Sequence, residues 1–144
     1  MSFATNTGRG LLPRLVILVT REEAEALYHA LALASGALAL MWEVHVFLTS
    51  SAAVLLTKEV KGKTELSMKG LVRWFVRRRM KRLNIAEVDE VLAKVMKSGG
   101  VFYADEAALR LAGFTPEDLM EGVKLANSVS FLNLAKDADV VITL

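Results

Sequence analysis

Two strongly apolar segments constrain the fold of this chain more than any other feature. Residues 15–19 read LVILV and residues 139–144 read DVVITL. A strand with one face in solvent alternates apolar and polar residues, whereas a strand covered on both faces is apolar throughout. Both segments therefore predict buried strands of a parallel sheet.

Helical and strand-like patterns alternate between these two segments. Strand patterns occupy residues 43–49, 101–104 and 123–126, and helical patterns occupy residues 21–40, 52–58, 70–83, 85–97, 106–111 and 128–136. We expect Thr20 to cap the first helix, and Ser50 and Ser51 to open the second. This alternation predicts one α/β domain over residues 14–144, with three α/β/α layers around a mainly parallel sheet of about five strands.

The charge is concentrated in one helical segment. Residues 58–82 hold ten basic and two acidic residues, a net charge of +8, whereas the remainder holds eight basic and fourteen acidic residues, a net charge of −6. We interpret residues 60–98 as a basic helical insert and residues 1–13, which contain Gly8, Gly10 and Pro13, as a flexible arm. A basic patch on an acidic body predicts an anionic partner.

Within the basic helix, helical periodicity predicts a buried face that includes Val72, Val76 and Leu83. The remaining surface carries a tryptophan among basic residues, and it is our candidate interface or anion-binding surface: Arg73, Trp74, Arg77, Arg78, Lys81 and Arg82. Three interpretations stay open: an oligomer or partner interface, a plain solvated face, and a nucleic-acid-binding face.

The chain has no cysteine and only two histidines, His29 and His45. The composition therefore excludes disulfides, thiolate nucleophiles, thiolate metal sites and persulfide chemistry by these residues. We expect no cofactor and no metal. His29 is interpreted as a core or interface histidine, and His45 is expected on the strand face opposite Val44 and Val46.

Residues 26–42 have no charged side chain, but they include Tyr28, His29 and Ser35 and fall short of the about 20 residues that span a bilayer. We interpret them as a buried helix. The first residues lack the pattern of a signal peptide. We therefore expect a cytoplasmic protein without a membrane partner.

Three stretches carry a resemblance to a known family: LVILVTREEAEALYHALALASGALALMWEVHVF, MKGLVRWFVRRRMKRLNIAEVDEVLAKVMKSGG and GGVFYADEAALRLAGFTPEDLMEGVKLANSVSFLNLAKDADVVITL. In order and spacing they resemble the DsrE/DsrF-like family, especially its branch often labelled "predicted peroxiredoxin". The resemblance implies flavodoxin-like layering, a homo-oligomer (a trimer or hexamer) and partners among sulfur-relay proteins. Better-known members relay sulfur as a cysteine persulfide.

This chain departs from that family at two positions. In this branch an acceptor cysteine follows the third strand after a Tyr-Ala pair, and here Asp105 follows Tyr103 and Ala104. A carboxylate cannot carry a sulfane sulfur, so the chain is not expected to be a persulfide sulfurtransferase by itself. Met41 stands where relatives usually have glycine, and we expect a different exit from the first helix because methionine adopts positive φ poorly.

Polar residues at the predicted carboxyl ends of strands define a candidate pocket, because ligands bind there in such sheets. Its members are Thr20, Arg21, Ser50, Ser51, Tyr103, Asp105 and Glu106. The hydroxyls could bind an anion or only cap helices, and Asp105 could act as an acid, a base or a cation ligand, or only as a helix cap. The leading hypothesis is a non-catalytic DsrE-like binding or assembly partner. The alternatives are anion or nucleic-acid binding through residues 69–82, and an enzyme using Asp105 and Glu106.

Overall fold

The computed structural model describes residues 12–64 and 66–144, so residues 1–11 of the expected arm lie outside the described residues. The predicted α/β architecture with a parallel sheet of five strands is confirmed, and the strands lie in the order β4-β3-β2-β1-β5. The strands are β1 (Arg14–Val19), β2 (Glu43–Leu48), β3 (Val101–Asp105), β4 (Lys124–Ala126) and β5 (Val140–Thr143).

In the described part of the chain, five α-helices lie between the strands: α1 (Ala24–Ala39), α2 (Gly70–Arg82), α3 (Val88–Lys97), α4 (Glu106–Leu111) and α5 (Ser128–Ala135). Two 3₁₀ helices, Ser50–Leu56 and Pro116–Asp118, complete the connections. Among the described residues, no helix combines the length and apolar character needed to cross a membrane.

The main core lies on the sheet face covered by α1, α3 and α4. Alternate strand residues such as Ile17, Val46 and Phe102 are buried there against Leu27 and Leu92. The small residues Ala30 and Ala34 let α1 pack closely on the strands, and both are fully buried. This face of the sheet is therefore the one on which most of the apolar surface is removed from water.

The opposite face of the sheet is covered by α5. Val16, Phe47, Tyr103 and Ala126 are buried there, and Phe131 and Leu134 of α5 pack against them. The helix connects β4 and β5, which are the two edge strands, so it must cross the whole sheet. Residues from β1, β2, β3 and β4 consequently share one cluster with this short helix.

The prediction that residues 139–144 form a strand buried on both faces is wrong within the protomer. β5 is an edge strand, and its residues alternate between partly buried and exposed, with Val141 exposed. Among the described strands, β5 pairs with β1 alone, and Leu15 lies opposite Val140 and Ile17 opposite Ile142.

Two helix starts also differ from the predictions. Thr20 does not cap α1, because its side chain and backbone N–H both donate to the Leu144 carbonyl and Glu23 takes the N-cap position. Helix α3 begins at Val88 and not at residue 85. Asn84 has φ of 53° and ends α2, and Glu87 is extended before the next helix starts.

Met41 does adopt the left-handed conformation, so the expectation of a different exit from α1 is wrong. Its φ is 63°. The Met41 N–H donates to the Leu38 carbonyl and the Trp42 N–H donates to the Ala37 carbonyl, the pattern of a Schellman motif. A position that favours glycine is therefore occupied by a methionine, at a conformational cost.

Candidate functional site

A cavity of about 170 Å³ opens beside the N-terminus of α5, at the carboxyl ends of the parallel strands. Its floor is apolar and its rim is polar. It is lined by Leu18, Phe47, Leu48, Thr49, Asp105, Ala126, Asn127, Ser128 and Phe131. It has the location expected of a ligand site in an open parallel sheet.

Asp105 is the predicted pocket residue that lines this cavity. One carboxylate oxygen, Oδ1, accepts a hydrogen bond from the Ala107 N–H at 3.1 Å, so Asp105 is the N-cap of α4. The other oxygen, Oδ2, accepts from the Thr49 hydroxyl at 2.6 Å. The capping interpretation is therefore confirmed. Thr49, which the sequence places at the carboxyl end of the second strand but which was not among the predicted pocket residues, holds the carboxylate at the edge of the cavity.

The other predicted pocket residues do not line the cavity. Thr20 is bonded to Leu144, and Arg21 is exposed. Ser50 and Ser51 are exposed at the start of the 3₁₀ helix. Glu106 forms an ion pair with Arg110 one turn along α4, at 2.8 Å. Tyr103 lies beneath the cavity, where its ring stacks on Phe47 with centroids 4.2 Å apart.

A chain of hydrogen bonds runs under α5 from Arg14 to Tyr103. The Arg14 guanidinium Nε donates to Glu43 Oε2 at 3.2 Å, and Glu43 Oε1 lies 2.6 Å from His45 Nε2. His45 Nδ1 lies 2.8 Å from the Tyr103 hydroxyl. His45 is buried and faces away from Val44 and Val46, as expected. Its partner Glu43 was missed, although residues two apart in a strand share a face.

This environment shifts two pKa values. Burial alone raises the pKa of Glu43, but hydrogen bonds from His45 and Arg14 and the Arg14 charge outweigh it, so the net pKa is lowered. Burial raises the pKa of Tyr103, and the negative charge of Glu43 adds to that increase. Tyr103 therefore stays protonated and able to donate to His45 throughout the neutral range.

The remaining histidine is not a core residue, because His29 is exposed on α1. Among residues 12–64 and 66–144, no three histidine, aspartate or glutamate side chains come together in an arrangement that could hold a metal ion.

The basic helix α2 buries none of its residues, so the predicted buried face is wrong within the protomer. Val72 and Leu83 are exposed, and Val76 is only partly buried. Helical periodicity identified an amphipathic helix, but the described chain covers Val76 and Met80 only in part and leaves Val72 and Leu83 exposed.

Five of the six predicted interface residues on α2 are exposed, namely Trp74, Arg77, Arg78, Lys81 and Arg82. The sixth, Arg73, is partly buried and donates to the Met68 and Leu66 carbonyls at 2.8 and 3.2 Å. It fastens the start of α2 to the preceding loop. The Arg78 guanidinium lies 5.2 Å from the Trp74 ring centroid, in cation–π geometry.

Comparison with known proteins supports the fold. Residues 51–143 match the sequence profile of the DsrE/DsrF/DrsH-like family. The ychN protein from E. coli is similar at 15% identity and a TM-score of 0.64, with 92% of this chain and 100% of that chain covered. The protein of unknown function MTH1491 from Methanobacterium thermoautotrophicum is similar at 17% identity and a TM-score of 0.57, with 90% and 98% covered. No curated protein matches the chain.

Proposed function

Because the chain belongs to the DsrE/DsrF/DrsH-like family and its 144 residues include no cysteine, we propose that it is a non-catalytic binding or assembly partner of sulfur-relay proteins. It does not carry sulfur itself. Persulfide transfer needs a thiolate nucleophile, and no side chain of this sequence supplies one.

The geometry of Asp105 is the observation that supports this proposal most. The resemblance to the family implies that relatives have their acceptor cysteine at the position of Asp105, which is the last residue of β3. The carboxylate is engaged by the Ala107 N–H and the Thr49 hydroxyl. A side chain fixed in this way stabilises the junction between β3 and α4, which is a structural role.

An assembly role is supported by apolar residues on the outward side of α5. Val129 and Leu132 lie one helical turn apart and are both exposed, although the helix packs its other side on the sheet. Exposed apolar residues that share a helix face are typical of protein contact surfaces. We propose that this side of α5 forms the contact in a homo-oligomer or in a complex with a cysteine-bearing relative.

The absence of sulfur transfer is tested by intact mass spectrometry. After incubation with thiosulfate or with a low-molecular-weight persulfide, the native chain should show no covalent sulfur adduct. The Asp105→Cys variant should gain the mass of one sulfur atom, which shows that the assay detects a carrier at that position. A sulfur adduct on the native chain contradicts the proposal.

The assembly role is tested by light scattering with matched variants. Val129→Asp and Leu132→Asp should reduce the subunit number or abolish binding to a cysteine-bearing DsrE-like protein. Leu111→Asp is the control, because Leu111 is 90% exposed on α4, away from α5. A native chain that is monomeric and binds no such relative contradicts this part of the proposal.

A further inference from the structure

The outward side of α2 carries one stripe of apolar and basic residues. Leu71, Trp74, Phe75, Arg78 and Arg82 follow the spacing i, i+3, i+4, i+7 and i+11, so they share one helix face. Leu71, Trp74 and Phe75 are 75%, 51% and 63% exposed. The partly buried residues Arg73, Val76 and Met80 lie on the other side, toward the body of the protein. The stripe therefore faces solvent.

The stripe is apolar toward the start of the helix and cationic toward its end. The first half presents Leu71, Trp74 and Phe75, and the second half presents Arg78, Arg79 and Arg82. The sequence of α2, GLVRWFVRRRMKR, contains no acidic residue. A groove of about 450 Å³ lies along the second half of the helix, lined by Phe75, Val76, Leu83 and all three arginines.

We propose that α2 lies flat on an anionic phospholipid surface. Leu71, Trp74 and Phe75 enter the boundary between headgroups and acyl chains, and the three arginines contact lipid phosphates. Arginine suits this role because its planar guanidinium forms two parallel hydrogen bonds to a phosphate. This inference goes beyond the proposed function and does not depend on it.

Two observations favour a lipid surface over a nucleic acid. Phosphate contacts and base stacking use arginines and the aromatic rings of Trp74 and Phe75, but they leave the aliphatic side chains of Leu71 and Leu83 in water. A bilayer interface accommodates both the arginines and the apolar side chains. The charge distribution also fixes the orientation, because residues 58–82 carry +8 and the remainder of the chain carries −6. The surface attracts α2 and repels the rest of the molecule.

The expectation of no membrane partner rested on residues 26–42, which are too few to span a bilayer, and on the lack of a signal-peptide pattern. Neither argument concerns peripheral binding through an exposed helix such as α2. The chain has two tryptophans, Trp42 and Trp74, and only Trp74 lies on α2. The Trp42→Phe variant therefore makes Trp74 the sole tryptophan and a direct reporter of this face.

The test is a titration of Trp42→Phe with vesicles of equal parts phosphatidylglycerol and phosphatidylcholine, and with vesicles of phosphatidylcholine alone. We expect a blue shift of Trp74 emission with the anionic vesicles, which weakens as salt is added. Arg78→Ala and Arg82→Ala should each reduce the partition constant about fivefold. Phe75→Ser should also weaken binding, whereas Arg110→Ala, on α4, should leave it unchanged.

Co-sedimentation of the native chain with the same vesicles keeps the test valid if Trp42→Phe does not fold. No binding to anionic vesicles at low salt overturns the proposal, and so does equal binding to both kinds of vesicle. A blue shift that appears with single-stranded RNA but not with vesicles also overturns it. A blue shift of Trp74 emission that depends only on protein concentration overturns the proposal as well, because that result would assign this face to contact with a second copy of the chain.

Discussion

Removal of the Tyr103 hydroxyl should destabilise the protein through His45 and not through packing. In Tyr103→Phe the ring keeps its stacking on Phe47, whose plane lies 6° from that of Tyr103. Only the hydrogen bond of 2.8 Å between the hydroxyl and His45 Nδ1 is lost. Because both side chains are buried, water cannot easily replace the missing partner. Leaving one buried polar atom unpaired costs about 1–3 kcal/mol, which is the loss we expect.

The chain offers a matched control in its other tyrosine. The Tyr28 hydroxyl donates to the carbonyl of Ala86, an exposed residue whose carbonyl can bond to water instead. Tyr28→Phe should therefore change the free energy of unfolding by less than about 0.5 kcal/mol. The comparison applies the same chemical change to a buried hydrogen bond and to one whose partner is exposed to water.

The assay is urea unfolding followed by circular dichroism, applied to a double-mutant cycle with His45→Leu. The double variant should lose less free energy of unfolding than the two single variants lose together, by about 1–2 kcal/mol. The reason is that His45→Leu also removes the Nδ1 nitrogen that Tyr103→Phe leaves unpaired. Two results would refute the reasoning: a loss in Tyr103→Phe no larger than in Tyr28→Phe, or additive losses in the cycle.

Three further predictions concern single positions. Since the net effect of the surroundings of Glu43 lowers its folded-state pKa below 4.5, the native chain should be more stable than Glu43→Gln above that value. The difference should vanish as pH falls through the folded-state pKa in urea titrations, and a constant difference would contradict this. Asp105→Ala should lower the free energy of unfolding by about 1–2 kcal/mol in the same assay, whereas Asp105→Asn should lower it much less, because asparagine is an equally good helix cap. Equal losses in the two variants would argue against a capping role. Met41→Gly should raise the free energy of unfolding by about 0.5–1 kcal/mol, because Met41 has φ of 63° and is 71% exposed; a lower melting temperature would contradict it.

The sequence predicted the sheet well because its central strands are defined by local composition. Residues 15–19 are continuously apolar, and β1 lies between β2 and β5 with both faces covered. Residues 139–144 have the same pattern, yet β5 is at the edge. Strand order depends on contacts between distant segments, and an apolar run does not encode it. For the same reason the periodicity of α2 identified its amphipathic character but not whether another element covers it.

The candidate site was predicted only in part, because α5 determines which residues meet there. Tyr103 and Asp105 could be placed from the end of the third strand pattern. Asn127, Ser128 and Phe131 enter the cavity because α5 crosses the sheet, which is a long-range property of the fold. Thr49 could be placed at the carboxyl end of the second strand from the sequence, but its hydrogen bond to Asp105 depends on the pairing of β2 with β3.

The pairing of β1 with β5 has a consequence for biosynthesis. Arg14 and Asp139, which share a hydrogen bond, are 125 residues apart, so β1 gains its second neighbour only when almost all of these residues have left the ribosome. At about 5–20 residues per second this takes on the order of ten seconds. Until α5 emerges, Val16 and Phe47 lack the helix that packs on their face of the sheet. β5 and α5 therefore complete the part of the sheet that contains β1, which is synthesised before the other strands. During the interval before they emerge, the incomplete domain exposes apolar surface and needs protection from aggregation.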